Sequence, residues 1–173
     1  MVTWMIGLSR AGKTTLSQLL YKKLKPDVSN LVLLDGDAIR VLFGSDVDHT
    51  IEGRRKNAER ISHLSKFLSD QNIHVIAAVL SIFPEWQAWN RKNISNYQEV
   101  YIKASMDSLE KRDTNGLYSQ AKKGLMKNVV GVDIPFPEPK QPDLVIENNI
   151  ETANFDSMLE KVLTLAEIRK IRR

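Results

Sequence analysis

The feature that most constrains this chain is the segment 7–15, which has the sequence GLSRAGKTT. It matches the phosphate-loop pattern of Gly, four residues, Gly, Lys and Ser or Thr. Gly7 and Gly12 allow the backbone to bend so that successive amides face one set of phosphate oxygens. Lys13 can reach the β- and γ-phosphates, and the Thr14 hydroxyl can bind Mg²⁺. The pattern therefore predicts a site for a nucleoside triphosphate and its magnesium ion.

The residues on either side of this loop support the same prediction. Before it, residues 2–6 form a short apolar run, VTWMI, that predicts a buried strand. After it, four leucines at helical spacing predict a helix that ends near Lys25: Leu16, Leu19, Leu20 and Leu24. A strand, a loop and a helix in this order place phosphates at a helix N-terminus, where free amides attract anions.

Composition narrows the class of protein. The 173 residues carry a net charge of +4 and no cysteine, which excludes disulfides, thiol catalysis and cysteine-bound metals. The mild basic excess suits polyanionic small molecules, and without a basic stripe among aromatic residues we expect no nucleic-acid partner. The apolar start is too short for a signal peptide, and no apolar run could span a membrane. We expect a cytoplasmic protein with one domain, residues 1–173, and no membrane partner.

Strands and helices are predicted to alternate along the rest of the chain. Apolar runs predict strands at 31–34, buried on both faces, and at 73–80, 99–102 and 144–146. Periodic patterns predict helices at 54–70, 106–112, 120–123 and 155–166. This alternation predicts an α/β fold with a five-stranded parallel sheet flanked by helices. We further expect a polar loop at 44–53, an irregular or helical segment at 82–96, and a mobile flap rather than core at 124–142.

Two aspartates follow the second predicted strand. Asp35 and Asp37 flank Gly36 at the carboxyl end of that strand, where Mg²⁺ and a phosphoryl acceptor would meet. The alternative is a strand-to-helix turn capped by an aspartate, but two aspartates within three residues favour a functional site. Arg54 and Asn57 lie three residues apart and share a face of the next predicted helix, although charged residues at a helix start are usually only solvated.

Taken together, the motifs resemble those of the adenylylsulfate (APS) kinase family over residues 2–147. The resemblance is carried by the phosphate loop and by five further motifs. They are Leu34-Asp35-Gly36-Asp37 with Arg40; Arg54, Asn57 and Arg60 at intervals of three; Ser81 after the third strand; Arg112-Asp113 with Gly116-Leu117-Tyr118; and Gly131-Val132-Asp133 with Pro135, Glu138 and Pro139.

The resemblance implies a P-loop kinase fold and transfer of the γ-phosphoryl of Mg·ATP to the ribose 3′-hydroxyl of a nucleotide. The residues that would bind ATP are Gly7, Ser9, Arg10, Ala11, Gly12, Lys13, Thr14, Thr15 and Arg112. Those that would bind the acceptor are Asp37, Arg40, His49, Arg54, Asn57, Ser81, Asn115 and Val129. The metal ligands would be Thr14 and Asp35, and the catalytic residues Lys13, Asp35, Asp37 and Ser81. In-line transfer itself needs no phosphoserine intermediate. Members of the family often dimerise, so a homodimer is one option.

The sequence departs from the family pattern at several positions. Arg10 replaces the usual glycine, Ile82 replaces a proline, and Asn115 replaces a lysine. The two phenylalanines that sandwich the adenine of APS in the family align with His49 and Val129. Stacking on an aromatic side chain is worth about 1–3 kcal/mol per base, so the loss of both rings would cost on the order of a hundredfold in affinity.

Two acceptors therefore stay open. The first is APS, with Phe43 or Phe136 restoring the stack. The second is a pyrimidine nucleotide such as cytidine diphosphoramidate, a cytidine diphosphate-type carrier used in surface-sugar modification, whose smaller base His49 and Asn115 could hold by polar contacts. A small GTPase switch fits poorly, because the chain has no Asn-Lys-x-Asp motif. An inactive nucleotide-binding module fits poorly too, because the phosphate loop and both aspartates are intact.

Overall fold

A parallel β-sheet forms the centre of the fold in the computed structural model, which describes residues 1–44, 46–149 and 154–171. Its five strands are β1 (Val2–Ile6), β2 (Leu31–Asp35), β3 (His74–Val79), β4 (Tyr97–Lys103) and β5 (Leu144–Glu147). Their order across the sheet is β2-β3-β1-β4-β5, and each pair of neighbours is parallel. The predicted five-stranded parallel sheet is confirmed.

Helices connect the strands and complete the predicted α/β architecture. They are α1 (Lys13–Leu24), α2 (Gly36–Leu42), α3 (Ile51–Asp70), α4 (Pro84–Asn93), α5 (Met106–Lys111), α6 (Leu117–Lys122), α7 (Phe155–Leu163) and α8 (Ala166–Ile171). The segment 82–96, predicted to be irregular or helical, contains α4, which starts with a proline in its first turn. No helix within the described residues is both long enough and apolar enough to cross a membrane.

The central strand β1 explains why the sheet has a core on both faces. Trp4 and Ile6 point to one face, where they pack with Ile61 of α3. Met5 points to the other face, where it packs with Leu20 of α1. Side chains of successive strand residues point to opposite faces, so a continuous apolar run is buried only when helices cover both sides of the sheet.

Strand β2 has hydrophobic core on both of its faces, as predicted. It lies at an edge of the sheet and pairs only with β3 among the described strands. Leu31 and Leu34 are buried, whereas Val32 and Leu33 are only partly buried. Leu31 and Leu33 pack into the core on one face and Val32 and Leu34 on the other, so the predicted burial on both faces is confirmed. The edge position leaves Val32 and Leu33 only partly covered.

Several predicted helix boundaries are wrong. The expected polar loop 44–53 ends early, because α3 begins at Ile51 rather than at residue 54. The Thr50 hydroxyl accepts a hydrogen bond from the Gly53 amide at 3.1 Å and so caps this helix. The sixth helix begins at Leu117 rather than at residue 120, and the predicted last helix breaks after Leu163 before α8 begins.

The segment 124–142 is also placed differently from the prediction. Val129, Val130 and Ile134 are 3%, 4% and 5% exposed and pack into hydrophobic clusters. The Asp133 carboxylate accepts hydrogen bonds from the amides of Asn128 and Val129, both at 2.6 Å, and closes the turn. The prediction that this segment lies outside the core is wrong, because its apolar residues pack into two buried hydrophobic clusters, and its mobility stays a prediction.

Candidate active site

The phosphate loop connects β1 to α1 at the carboxyl end of the central strand. Gly7 is required by a close approach, since a Cβ there would lie 2.5 Å from the carbonyl oxygen of Ile102. Gly12 has φ +104°, which favours glycine, and it is the N-cap of α1. Arg10 also has a positive φ, 65°, and its side chain is exposed. The predicted order of strand, loop and helix is confirmed, and the loop amides precede a helix N-terminus.

Lys13 is the first residue of α1, and its side chain folds back over the loop. Its Nζ donates a hydrogen bond to the Leu8 carbonyl at 2.8 Å. Burial lowers the pKa of Lys13 to about 8, and the carboxylates of Asp37 and Asp35 act in the opposite direction. The ammonium therefore lies between the loop and two carboxylates, where a phosphate group would compensate the cost of its burial.

Asp35 connects the end of β2 to the phosphate loop. Its Oδ1 accepts from the amides of Asp37 at 3.0 Å and Ala38 at 3.4 Å, so the residue caps α2. Its Oδ2 accepts from the Thr14 hydroxyl at 3.0 Å. The capping interpretation is therefore confirmed, and the same carboxylate is also paired with the hydroxyl expected to bind metal. Such an oxygen pair beside a phosphate site fits Mg²⁺, which takes few protein oxygens together with phosphate oxygens.

A cavity of about 710 Å³ lies beside the loop, at the carboxyl ends of β2 and β3. It brings together most of the side chains that were predicted to act on ATP, metal or acceptor. Those lining it are Ser9, Arg10, Lys13, Thr14, Asp35, Asp37, Arg40, His49, Arg54, Asn57, Ser81 and Val129. We call the part formed by Arg40, His49, Arg54, Asn57, Ser81 and Val129 the distal wall.

Two arginines of the distal wall are held by backbone carbonyls. Arg40 donates to two carbonyls of the segment 47–49, at 3.0 and 2.5 Å. Arg54 donates to a third carbonyl of that segment at 2.8 Å and to the carbonyl of Asn128 at 2.9 Å. Burial and the charge of Arg40 lower the pKa of Arg54, while Asp37 acts in the opposite direction. An anion between the two guanidinium groups would relieve their repulsion.

Asn57 and Ser81 are positioned by hydrogen bonds to neighbouring elements. Asn57 is 5% exposed, and its Nδ2 donates to the carbonyl of Gly36 at 3.0 Å. Ser81 has φ +52°, and its hydroxyl oxygen accepts from Trp4 Nε1 and from Gln87 Nε2, both at 3.2 Å. An oxygen that already accepts two hydrogen bonds keeps its own proton for donation into the cavity.

Two residues of the distal wall, His49 and Val129, stand where the family has phenylalanines. His49 is exposed at the cavity, and Val129 is buried against it. Burial and the charges of Arg40 and Arg54 lower the pKa of His49, which favours the neutral form of its ring.

The two phenylalanines that could have restored a stack are engaged elsewhere. The Phe43 ring lies 4.3 Å from the guanidinium carbon of Arg60, and the Phe136 ring packs against Tyr101 with centroids 6.0 Å apart. Neither Phe43 nor Phe136 lines the cavity.

Some predicted site residues lie outside the cavity. Asn115 is exposed in the turn before α6 and does not line the cavity, so the structure does not bring it to the acceptor side. Arg112 donates to the Asn148 side-chain oxygen at 3.2 Å, beside the phosphate loop. The remaining loop residues that were expected to bind ATP form the loop backbone without lining the cavity: Gly7, Ala11, Gly12 and Thr15.

Sequence reasoning missed several residues that shape the site. Trp4 and Phe83 line the cavity but are only 1% and 6% exposed. Asn148 and Tyr118 donate hydrogen bonds to carbonyls of the phosphate loop at 2.8 Å each. Tyr118 belongs to the Gly116-Leu117-Tyr118 motif. No local signal marked Asn148, since its partner, the Ala11 carbonyl, lies 137 residues away.

The sequence of this chain was compared with models of known protein families. Residues 1–147 match the family model described as adenylylsulphate kinase. The chain belongs to the adenylylsulfate kinase family. It is therefore a kinase with a phosphate-loop fold, and the resemblance drawn from its motifs is confirmed.

Within the adenylylsulfate kinase family, relatives with two different acceptors resemble this chain. It is 41% identical over 162 residues to the cytidine diphosphoramidate kinase of Campylobacter jejuni, covering 94% of both chains. It is 34% identical over 170 residues to the adenylyl-sulfate kinase of Paraburkholderia xenovorans, covering 96% of this chain and 95% of the relative. A solved structure of the Mycobacterium tuberculosis APS kinase in complex with AMPPNP and APS has a TM-score of 0.82 at 29% identity, covering 94% of both chains.

Proposed function

We propose that this kinase transfers the γ-phosphoryl group of ATP to the ribose 3′-hydroxyl of a cytidine diphosphate-type nucleotide, with cytidine diphosphoramidate as its acceptor. ATP would bind with its phosphates on the phosphate loop, and the acceptor would bind against the distal wall. Mg²⁺, held by Thr14 and Asp35, would supply charge neutralisation at the phosphates.

The observation that carries this choice of acceptor is the lack of an aromatic clamp in the distal wall. His49 and Val129 occupy the positions where the family has phenylalanines, and Phe43 and Phe136 pack outside the cavity. A purine gains most from stacking between two rings, whereas a pyrimidine is small enough to be held by polar contacts at its edge. The similarity to a cytidine diphosphoramidate kinase supports the same choice.

The geometry supports Asp37 as the base of the transfer. Both oxygens of Asp35 already accept hydrogen bonds, from the amides of α2 and from Thr14. The Asp37 side chain is exposed in the cavity, where a ribose hydroxyl would approach the γ-phosphate. We therefore assign proton removal from the acceptor hydroxyl to Asp37 and charge stabilisation at the γ-phosphoryl group to Lys13.

The distal wall would position the acceptor through charge and hydrogen bonds. Arg40 and Arg54 would bind the phosphate groups of the acceptor. Asn57 would donate or accept a further hydrogen bond to the same nucleotide. Ser81 would donate its hydroxyl proton to the acceptor instead of forming a phosphoserine, since its oxygen is occupied by two N–H donors.

APS is the second candidate acceptor. The arginines and Asn57, which match the family motifs, would serve either nucleotide. The 34% identity over 170 residues to the adenylyl-sulfate kinase of Paraburkholderia xenovorans supports this second candidate. Both candidates need the same chemistry at Lys13 and Asp37, so only the binding of the base and of the terminal group separates them.

A panel of acceptors tests the proposal. Cytidine diphosphoramidate, cytidine diphosphate, APS and adenosine diphosphate are each assayed with Mg·ATP, and kcat/KM is compared, with the phosphorylated position established by NMR. We expect cytidine diphosphoramidate to reach the range of about 10⁴–10⁸ M⁻¹s⁻¹ that is typical of good substrates. Efficient turnover of APS, with no turnover of or competition by any cytidine compound, would contradict the proposed acceptor and favour the second candidate.

A further inference from the structure

Two carbonyl groups of the phosphate loop accept hydrogen bonds from side chains of distant elements. The Ser9 carbonyl accepts from the Tyr118 hydroxyl at 2.8 Å, and the Ala11 carbonyl accepts from Asn148 Nδ2 at 2.8 Å. Tyr118 belongs to α6, and Asn148 follows β5, so neither is close to the loop in sequence. Two distant elements therefore control the orientation of two loop peptides.

The orientation of these peptides decides where the loop amides point. In a trans peptide, the carbonyl and the following amide N–H point in opposite directions. A carbonyl held outwards by Tyr118 turns the amide of Arg10 inwards, and a carbonyl held outwards by Asn148 turns the amide of Gly12 inwards. Inward amides are the groups with which a phosphate loop binds phosphate oxygens.

Both peptides need such support, because each precedes a residue with a left-handed backbone. Arg10 has φ +65° and Gly12 has φ +104°. The left-handed region is unfavourable for arginine, and glycine is free to leave it without steric penalty. The local sequence alone therefore does not keep the amides of Arg10 and Gly12 turned towards the phosphates. The hydrogen bonds from Tyr118 and Asn148 stabilise that orientation.

The two donors are themselves well anchored. Tyr118 is 0% exposed, and its amide donates to the Asp113 carboxylate at 2.7 Å. Asn148 is 1% exposed, and its amide donates to the Lys103 carbonyl at 2.7 Å. The Asn148 side-chain oxygen accepts from Arg112 at 3.2 Å, so its amide group has a fixed orientation with Nδ2 towards the loop.

We propose that Tyr118 and Asn148 are positioning residues for ATP: they hold the Ser9 and Ala11 carbonyls outwards so that the amides of Arg10 and Gly12 face the phosphates. In this role each side chain acts through a loop peptide and not by contact with ATP. The inference rests on the proposed ATP site and is independent of the identity of the acceptor.

The test compares two loop variants with two matched controls. Tyr118→Phe removes one hydroxyl group, and Asn148→Ala removes the other donor. Tyr97→Phe removes a buried hydroxyl that donates to Glu99 at 2.8 Å, away from the loop, and Asn149→Ala removes a side chain at the same end of β5 that accepts from the amide of Ser105 at 2.7 Å. The dissociation constants of AMPPNP and of cytidine diphosphate are measured by calorimetry, together with the melting temperature with and without AMPPNP.

We expect each loop variant to weaken AMPPNP binding about three- to tenfold, the scale of one hydrogen bond, and the double variant to weaken it further. Cytidine diphosphate affinity should stay within about twofold of wild type, and the controls should bind AMPPNP normally. All four variants lose stability, but only the loop variants should also lose part of the melting-temperature increase caused by AMPPNP.

Two results would overturn the inference in distinguishable ways. If the wild-type protein does not bind AMPPNP, the proposed ATP site is wrong and the positioning role is lost with it. Suppose instead that the wild type binds AMPPNP. The positioning role alone is then wrong if both loop variants bind AMPPNP as tightly as wild type, or if the control variants weaken AMPPNP binding as much as the loop variants do. Tyr118→Phe keeps the shape of the buried ring, so this comparison holds even if Asn148→Ala fails to fold.

Discussion

The phosphate loop and the distal wall differ in how far apart along the chain their residues lie. The loop is one continuous segment, 7–15, whose backbone amides and Lys13 face the expected phosphates. The distal wall collects side chains from separate elements between Arg40 and Val129. The loop would bind ATP mainly through backbone groups, whereas the wall would recognise the acceptor through side chains.

This difference explains why a departure from the family pattern has different consequences in the loop and in the distal wall. Backbone groups bind phosphate whatever the neighbouring side chain is, so Arg10 can replace a glycine as long as it adopts φ +65°. Side-chain contacts change with each substitution, so His49 and Val129 alter which base fits. The predictions below probe this contrast, from the largest expected effect to the smallest.

The strongest test of the role of the phosphate loop is the substitution Lys13→Ala. We expect kcat to fall by at least about 10³-fold, because removal of a single preorganised charge at the transferred group is this costly in comparable sites. Steady-state kinetics measures the loss, and circular dichroism checks that the variant is folded. A folded variant with more than about a tenth of the wild-type kcat would show that Lys13 does not act on the γ-phosphoryl group.

Asp37→Asn should lower kcat by about 10²-fold or more while changing ATP affinity little. The carboxamide keeps the shape of the side chain but cannot take the proton of the acceptor hydroxyl. Measurement of kcat and of the AMPPNP dissociation constant separates chemistry from binding. Altered apparent KM for ATP with unchanged kcat would contradict the assigned base.

Arg54→Ala tests the distal wall. Loss of one charged hydrogen bond should weaken acceptor binding by about 1.5–3 kcal/mol and leave ATP binding unchanged. Lys56→Ala is the matched control, because Lys56 lies on the same helix but pairs with Asp46 at 3.2 Å. Calorimetry with the preferred acceptor decides the outcome: equal acceptor affinity in Arg54→Ala and wild type would remove Arg54 from the site.

His49→Phe sharpens the choice of base. A new ring at the exposed position 49 should raise kcat/KM for APS about fivefold to thirtyfold, in line with a stacking energy of about 1–2 kcal/mol, with little gain for cytidine nucleotides. The ratio of the two kcat/KM values is the measurement. An equal gain for both acceptors would mean that position 49 does not contact the base.

Glu99→Gln changes a buried residue of β4 that does not line the cavity, and it should have the smallest effect. Burial raises the pKa of Glu99, although Tyr97 and Arg91 partly oppose it. The raised pKa favours folding while the carboxyl is protonated, and this stability is lost as the pH rises through the folded-state pKa. The variant should therefore melt a few degrees above wild type at pH 8, with a smaller difference at pH 5, and kcat should be unchanged. A constant difference at both pH values would contradict this account.

The fold followed largely from sequence patterns. The apolar run 2–6, the helical spacing of the leucines in α1 and the glycine-rich segment between them act locally, so their structure could be predicted from neighbours in the chain. The boundaries that failed depended on capping contacts, such as the Thr50 hydroxyl at the start of α3, which extends this helix into the expected loop.

The prediction of the candidate site was correct for residues whose role follows from local spacing in the sequence. It was incomplete for residues whose role depends on contacts between distant segments. The phosphate-loop motif by itself identified the loop, and Asp35-Gly36-Asp37 identified the carboxylates that face it. Only the tertiary structure showed that Asn115 does not line the cavity, that the Phe43 ring packs against Arg60, and that Asn148 holds a carbonyl 137 residues away. The physical reason is that backbone conformation is encoded over a few residues, whereas a side chain's partners depend on how distant segments pack.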